Sequence, residues 1–338
     1  MRRSASELRE IVDAVQIRSA RSFSVVGEII EIASKENDDD AVGSLLATVL
    51  YQRMYCRPES GRAVQSANTR AMRVFVDDLS EANHGRGAWE PGWVVKAIEQ
   101  GGTLVVHRAQ DDLTLWASAE QYRSGDRNIA VGSIGRLRIG KELREMLPGY
   151  YVILGDADQG DDIGSSAAVA RFYWHLTASA APAWIDELTR RFNAADIAFH
   201  AKVLSDPAAY LRADAGVLYV ARQDLARAMD LLPALHRSVS SLLRHTTPMF
   251  TKRLARGLAA ADDPGDGGSF GQHRCRLIAE GLMRAFAEGS TASGDVAAAI
   301  AARFEEGGLN IDRPWLNPGS RSIYAWPKGP QFATASRP

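Results

Sequence analysis

Two short segments in the second half of the chain, 171–177 and 197–204, alternate between apolar and polar side chains, and this pattern constrains the fold most. In segment 171–177, one face of the expected strand carries Phe172, Trp174 and Leu176, while the other carries Tyr173, His175 and Thr177. Segments 197–204 and 216–221 also have strand patterns, and in the first of them His200 and Lys202 lie opposite the apolar face. We therefore expect a sheet with one strongly apolar face.

Segments with helical periodicity lie between and after these strands, but strands and helices do not alternate regularly. Residues 181–194 place Trp184, Leu188 and Phe192 four residues apart, and residues 224–245 form a second helical segment. Further helices are expected at 275–288 and 294–306. The mixture predicts an α+β fold with a twisted, mostly antiparallel sheet.

The first half of the chain combines helical segments with a hairpin. Helices are expected at 4–18, where Ser4 and Glu7 form a capping box, and at 22–34 and 42–55. Segment 87–94, which holds two Trp, Gly and Pro, is expected to be a turn. Strands 103–107 and 112–116 are expected to pair as a hairpin, with further strands at 136–139 and 150–154. The loop at 156–165 suggests two modules, 1–145 and 146–338.

Composition excludes several classes of protein. The chain has 40 basic and 41 acidic residues among 338, a net charge of −1, so no nucleic-acid or membrane-surface partner is expected. No apolar run is long enough to span a membrane and no signal peptide is recognisable, so the cytoplasm is the expected location. Two cysteines exclude a disulfide framework, and no phosphate-binding glycine loop or metal-binding histidine pair is present. We expect neither a metal nor a cofactor.

A lysine, a histidine and three arginines are the candidates for chemistry. Six of the 40 basic residues are lysines, so a lysine within a structured apolar segment, such as Lys202, is informative. If the strands pair, Lys202 and His175 point into one cleft; otherwise each faces solvent. Arg212, Arg274 and Arg321 lie among turn residues or at the start of an element, where their guanidinium groups either bind phosphate or lie on the surface.

Several separated motifs resemble the HopA-type effector-like domain over roughly residues 145–326. They are Arg171–Thr177, Phe199–Leu204, Tyr210–Val220, Thr247–Phe250, Ser269–Arg274 and Asn317–Ser320. That domain also serves as the lyase in class V lanthipeptide and thioamitide gene clusters, and it is distantly similar to the phosphothreonine lyases of pathogen effectors. The resemblance implies a phosphothreonine-lyase-like C-terminal domain that removes phosphate from phosphoserine or phosphothreonine by β-elimination, without a metal.

The resemblance also implies a role for each candidate residue. Lys202 matches the general base, His175 the general acid, Arg212 a phosphate-binding arginine and Tyr219 a tyrosine of the next strand. Tyr173 stands where the family has a lysine that stabilises the enolate, which is a departure from the family pattern. Arg274 and Arg321 are expected to complete the phosphate site.

The resemblance implies partners as well. These are a phosphorylated precursor peptide with its leader and a peptide kinase. Residues 1–145 either bind one of them or only buttress the lyase domain, and whether the chain forms a homo-oligomer is left open. Three other functions stay open: a non-catalytic phosphopeptide- or leader-binding scaffold for a kinase, a secreted effector acting on host phosphoproteins, and a phosphatase. The last would need a nucleophile or metal site that the sequence does not contain.

Overall fold

The structure is a computed structural model that describes residues 2–32, 39–58, 69–110, 112–125, 128–144, 147–157, 169–266 and 268–327. These residues form seven α-helices: α1 (Arg2–Ala14), α2 (Asp39–Leu50), α3 (Thr69–Ala82), α4 (Ala181–Ala194), α5 (Leu225–Val239), α6 (Phe270–Ala287) and α7 (Ser293–Glu306). A π-helical turn, Tyr51–Tyr55, follows α2 directly. Together with three antiparallel sheets, the helices confirm the predicted α+β fold.

The strands fall into three sheets in chain order. The N-terminal sheet contains β1 (Val15–Ser19), β2 (Ser22–Val25) and β3 (Glu28–Glu31). The small sheet contains β4 (Trp89–Ile98), β5 (Leu104–Arg108), β6 (Leu113–Ala117), β7 (Tyr122–Ser124) and β8 (Ile134–Arg138). The central sheet contains β9 (Glu142–Leu143), β10 (Tyr150–Leu154), β11 (Val169–Trp174), β12 (Phe199–Leu204), β13 (Gly216–Ala221), β14 (Lys252–Ala255) and β15 (Leu258–Asp262).

The central sheet has the strand order β14-β15-β11-β13-β12-β10-β9 and carries Lys202, at the centre of the candidate site, on β12. Its apolar face packs against α4 and α5, where Trp174 lies 5.8 Å from Trp184 between ring centroids. The predicted alternation is confirmed here, because Phe172, Trp174 and Leu176 are all fully buried in this layer.

The opposite face of the central sheet carries polar side chains at five positions of β11, β12 and β13. We call it the polar face; it comprises Arg171, Tyr173, His200, Lys202 and Tyr219. Helices α1, α2, α6 and α7 share a buried cluster with the tyrosines of this face. Helices from both ends of the chain therefore pack against the tyrosines of the polar face.

Three predictions for the first half of the chain are wrong. The helix expected at 4–18 ends at Ala14 and is followed by β1, and Ser4 lies inside the helix, where its hydroxyl donates to the Asp312 carbonyl instead of capping the helix start.

Segment 22–34 was expected to be a helix, but it contains the hairpin of β2 and β3, because Phe23 and Val25 alternate and Val26 and Gly27 both take positive φ, 52° and 80°.

Segment 87–94 was expected to be a turn, but β4 starts at Trp89. The register shifts between Glu90 and Trp93, so that Pro91 and Gly92 are accommodated in an irregularity of the strand rather than in a turn. By contrast, β5 and β6 pair antiparallel and confirm the predicted hairpin.

The helix expected at 275–288 begins five residues earlier. Ser269 is its N-cap, and the hydroxyl oxygen accepts a hydrogen bond from the Gln272 N–H at 3.1 Å. Segment 269–274, read from the sequence as a loop joined to a helix, is thus mostly the first turn of α6.

The predicted division at residues 145/146 stays a prediction. Residues on both sides of it share one buried cluster, in which Leu46 and Tyr55 pack with Phe250 and Phe270. Among the residues that the structure describes, no helix is long and apolar enough to cross a membrane.

Candidate functional site

Lys202 lies on β12 at the centre of the site. It is directly opposite Val152 of β10 and Val217 of β13, and its Nζ lies 4.4 Å from the centroid of the Tyr150 ring and 5.9 Å from that of Tyr219. No hydrogen bond or ion pair joins this amine to another residue in the described part of the chain. Lys202 is therefore a half-buried cation held only by aromatic rings.

The surroundings of Lys202 favour its neutral form. Burial and, to a smaller extent, the positive charges of Arg171 and Arg212 lower the pKa of the amine to about 8, against the opposing effect of Asp214. A lysine with this pKa is partly deprotonated near neutral pH, which an ordinary lysine is not. The amine can therefore accept a proton.

Tyr219 connects two other polar residues across three neighbouring strands. It is directly opposite both Arg171 and His200, and the His200 ring stacks on it at 4.3 Å between centroids with an interplanar angle of 14°. The Arg171 guanidinium lies 5.3 Å from the Tyr219 ring centroid. Burial raises the pKa of Tyr219, so its hydroxyl stays protonated at neutral pH and can donate a hydrogen bond.

His200 lies two residues from Lys202 on the same face and was not among the predicted site residues. Burial lowers the pKa of His200 to about 4, and the charges of Arg171 and Lys202 act in the same direction. The ring is therefore neutral at physiological pH. The alternation of β12 already placed His200 beside Lys202, so the signal was present in the sequence.

Arg171 is the second residue that the sequence analysis missed. Its Nε donates to Asp263 at 2.6 Å, and its Nη2 donates to the Gly268 carbonyl at 2.8 Å, just before the N-cap of α6. Nη1 takes no part in these contacts. Arg171, Tyr173 and His175 follow each other at every second position, so an alternating strand places all three on one face. Arg171 could therefore have been found from the sequence.

The charge of Arg212 acts on Lys202, but a carboxylate already binds the Arg212 guanidinium. Its Nε and Nη2 donate to the two oxygens of Asp214 at 2.6 and 2.8 Å. Burial alone would raise the pKa of Asp214, but the charge and hydrogen bonds of Arg212 outweigh burial and lower it. The pair is ionised and approximately neutral overall, with only Nη1 of Arg212 outside these bonds.

Tyr51, in the π-helical turn of the first half of the chain, hydrogen-bonds to both Arg212 and Asp214. Its hydroxyl accepts a hydrogen bond from Arg212 Nη2 at 2.7 Å and donates one to Asp214 at 3.2 Å. A close approach to α6 makes this possible, because a Cβ added at Gly271 would lie 2.7 Å from the Tyr51 ring and 2.4 Å from the Tyr55 ring. No local pattern in the sequence links Tyr51 to Arg212.

Tyr173 occupies the same row of the sheet as Lys202, since both are opposite Val217. Two strand spacings separate them, roughly 10 Å between Cα atoms. The Tyr173 hydroxyl is buried without a hydrogen-bond partner among the described residues, as is that of Tyr55, and burial raises the pKa of Tyr173. Tyr173 therefore presents a neutral, unsatisfied donor.

His175 follows β11 on the side of the sheet that Tyr173 occupies, but it is fully buried. Its Nδ1 lies 3.1 Å from the Thr246 carbonyl oxygen and 2.9 Å from the Thr246 hydroxyl, while Nε2 is buried without a partner among the described residues. Burial lowers the pKa of His175, against the opposing effects of the Thr246 carbonyl and Asp214. In the described arrangement the ring is neutral, with the proton on Nδ1.

Arg274 and Arg321, the other two arginines predicted to bind phosphate, do not form a phosphate site with Lys202 in the structure. Arg274 is fully buried, and its guanidinium is directed at the Pro314 and Leu316 carbonyls and at His273, which leaves no nitrogen unused. Burial lowers its pKa to about 10. Arg321 is exposed. It lies three residues before Tyr324, whose ring packs against Phe172 on the apolar face of the central sheet.

These observations define an α+β protein with a lysine-centred cluster of cations and tyrosines on one face of an antiparallel sheet. The HopA1 effector protein family model matches residues 144–316, just over half of the chain. The chain belongs to this family. No match to a curated protein is found.

Two solved structures are similar to the chain, both of effector proteins from Pseudomonas syringae. That from pathovar tomato strain DC3000 is 19% identical, with a TM-score of 0.45, and the match covers 80% of this chain and 90% of that one. That from pathovar syringae strain 61 is 15% identical, with a TM-score of 0.47, and the match covers 94% and 98%.

Proposed function

We propose that this protein is a phosphoserine/phosphothreonine lyase that eliminates phosphate from a phosphorylated precursor peptide. The observation that carries the proposal is Lys202, an amine without a polar partner among the described residues and with a pKa lowered to about 8. The resemblance of the sequence to a lyase domain adds the reaction type. The product would be a dehydroalanine or dehydrobutyrine residue, formed during maturation of a ribosomal peptide natural product.

Lys202 acts as the base in this proposal. Neutral Nζ removes the Cα proton of the phosphorylated residue, the electron pair forms the Cα–Cβ double bond, and the Cβ–O bond breaks to release phosphate. Its pKa suits this task, because a base works best when its pKa lies near the working pH. The chemistry makes no bond to phosphorus.

The charge that develops on the peptide carbonyl needs a donor. The resemblance would place a lysine at Tyr173, and the Tyr173 hydroxyl is a buried donor without a hydrogen-bond partner in the described residues. Because burial raises the pKa of Tyr173, this hydroxyl keeps its proton. We propose that Tyr173 donates a hydrogen bond to the enolate-like oxygen.

The leaving phosphate needs cations and a proton. Nη1 of Arg171 and Nη1 of Arg212 lie outside those arginines' hydrogen bonds with other residues, so both can donate to phosphate oxygens. His175 is neutral by itself, but a phosphate group with a charge of about −2 nearby would raise its pKa. Protonated on Nε2, His175 would then donate to the leaving oxygen.

The second candidate function is a non-catalytic scaffold that binds a phosphopeptide or leader for a partner kinase. It is favoured by the neutral Arg212–Asp214 pair and by the complete burial of His175, both unusual for an exposed catalytic cleft. The two functions differ in what happens to the phosphopeptide.

Mass spectrometry of a phosphorylated peptide incubated with the full chain distinguishes these functions. Elimination lowers the peptide mass by about 98 Da per site, the mass of phosphoric acid, whereas hydrolysis lowers it by about 80 Da. We expect the loss of phosphoric acid with the wild-type chain and none with Lys202→Ala.

Binding of the same peptide is measured in parallel, because Lys202→Ala removes the base but leaves both arginines in place. An unchanged peptide mass with intact binding, using a peptide that carries its leader and with the partner kinase added, would support the scaffold. Full elimination activity in Lys202→Ala would show that another group is the base.

A further inference from the structure

A cavity of about 570 Å³ lies where the N-terminal sheet meets the end of α6 and the start of α7. Three consecutive residues of β1, Val15, Gln16 and Ile17, line it. Side chains of consecutive strand residues point to opposite faces, so a space that all three border lies along the edge of the strand. The cavity therefore adjoins backbone groups of a sheet edge as well as side chains.

This edge of β1 is unpaired, because β1 pairs only with β2 among the described strands. The Ala14 carbonyl accepts a hydrogen bond from the Val26 N–H at 2.8 Å. Two residues further along, Gln16 is directly opposite Ser24. Since alternate residues of an antiparallel pair exchange hydrogen bonds, the N–H and C=O of Ile17 point away from β2. Ile17 thus offers one donor and one acceptor on the unpaired side of the strand.

Helices α6 and α7 supply an apolar wall to the cavity. Leu282 and Ala285 of α6 are buried, Val296 of α7 is half-buried, and Phe286 is exposed at the end of α6. A strand added beside β1 would turn every second side chain to the same face. A segment in which every second residue is apolar therefore suits this wall.

Asp13 gives the cavity its charge. It is exposed in the last turn of α1 and lines the cavity, and no lysine or arginine is among the described lining residues. Its carboxylate forms no ion pair with a basic residue in the part of the chain that the structure describes. The end of α6 at Phe286 adds the negative end of a helix dipole. A cation beside an apolar side chain therefore matches this space in charge.

We propose that the unpaired edge of β1 binds an extended segment of a partner polypeptide in which apolar residues alternate with lysine or arginine. The segment adds a fourth strand to the N-terminal sheet. Its backbone bonds to Ile17, its apolar side chains pack on Leu282 and Ala285, and one of its cations faces Asp13. Backbone hydrogen bonds give a complex of this kind its affinity, and the contacts of the side chains give it selectivity.

This surface is separate from the lysine-centred site. Its residues belong to α1, β1, α6, α7 and the turn between α6 and α7, and none of them lies on the polar face. A probe peptide without phosphate binds here without any elimination. Binding can therefore fail while elimination proceeds, and elimination can fail while binding persists.

Fluorescence anisotropy with a labelled, unphosphorylated peptide of alternating valine and lysine tests this site on the full chain. We expect saturable binding. The same peptide with every backbone nitrogen methylated cannot donate to a strand, and its Kd should be at least about tenfold higher. Replacing lysine with glutamate places like charges beside Asp13 and should also raise Kd at least about tenfold.

A proline at Ile17 tests the strand edge directly. Ile17→Pro removes the N–H that points away from β2, a change that edge strands tolerate, and should raise Kd at least about tenfold. Ile29→Pro is the matched control on β3, the opposite edge strand. The N–H of Ile29 also points away from β2, but Ile29 does not line the cavity, so Kd should change by less than about twofold.

The charge is tested in the same way. Asp13→Asn should raise Kd about threefold or more. Glu81→Gln removes the same charge from an exposed position in the last turn of α3, away from the cavity, and should change Kd by less than about twofold.

Thermal unfolding shows which variants fold. If Ile17→Pro does not, the methylated peptide and Asp13→Asn still test the site. The proposal is overturned if wild type fails to bind the valine–lysine peptide at low salt, if the methylated peptide binds equally well, or if the folded variants bind like wild type. Loss of binding in Ile29→Pro would assign the peptide to β3 instead. A wild-type dimer in light scattering that Ile17→Pro dissociates would replace the peptide with a second copy of the chain.

Discussion

At the scale of one residue, the burial that lowers the pKa of Lys202 and suits it to act as a base also lowers the stability of the folded chain. The folded chain holds the amine half-buried among rings and beside Arg171, and burial is the main reason that its pKa falls to about 8. In the unfolded chain the same group has an ordinary pKa near 10.4. The folded state is therefore destabilised wherever Lys202 is charged.

Replacing Lys202 with methionine should stabilise the protein. Below pH 8 the folded state carries the full penalty of the charged amine, and the penalty disappears as the pH rises through 8 toward 10.5. We expect Lys202→Met to raise the free energy of unfolding by about 1–3 kcal/mol at pH 7, and by less at pH 10. Chemical denaturation at the two pH values measures this.

Lys141 provides the matched control at the residue scale. Its Nζ donates to the Ser80 and Asn83 carbonyls at 2.9 and 2.8 Å, so Lys141→Met should destabilise the fold by about 1–2 kcal/mol. A destabilised Lys202→Met would indicate a lysine that serves structure, and would contradict the description of its surroundings given above.

At the scale of elements, the π-helical turn brings a residue from the N-terminal part of the chain to the Arg212–Asp214 pair. Tyr51 bonds both members of the Arg212–Asp214 pair, and the turn packs on α6 where Gly271 lacks a side chain. π-Helical turns are often found at functional sites. The turn lies outside the residues that the family model matches, 144–316.

Tyr51→Phe should misplace Arg212 without unfolding the chain. We expect a loss of about 1 kcal/mol in unfolding free energy and, for the proposed lyase, a rise of about tenfold in KM with a smaller change in kcat. Steady-state kinetics on a phosphopeptide measure both constants. Tyr324→Phe is the control, because its hydroxyl donates to Asp262 at 2.5 Å on the apolar face.

A comparable loss of stability in Tyr324→Phe should leave KM unchanged. If both variants change KM equally, or neither does, Tyr51 has no positioning role and Arg212 does not contact the phosphate.

For the whole molecule, the strands and helices that could be predicted from the sequence are those that local patterns of apolar and polar residues determine. The strand that carries Lys202 was predictable because apolar and polar residues alternate along it, and α4 because Trp184, Leu188 and Phe192 recur every four residues. Alternation also placed His200 beside Lys202. The hairpin at 22–31 was not predicted, because short apolar runs suit either a helix or a strand.

The parts of the site that could not be predicted depend on contacts distant in sequence. Tyr51 is 161 residues from Arg212, and the carbonyls that occupy Arg274 lie 40 and 42 residues beyond it. Whether an arginine can bind phosphate depends on which of its nitrogens are already used. A linear pattern does not contain that information.

The pH dependence of elimination tests the central claim, that Lys202 is the base, most directly. Between pH 6.5 and 9, kcat/KM for a phosphopeptide should rise about tenfold per pH unit and level off near pH 8, as Lys202 loses its proton. Lys202→Arg, which keeps the charge but cannot deprotonate, should bind the peptide and eliminate nothing. A profile that is flat across pH 8, or elimination by Lys202→Arg, would contradict the claim.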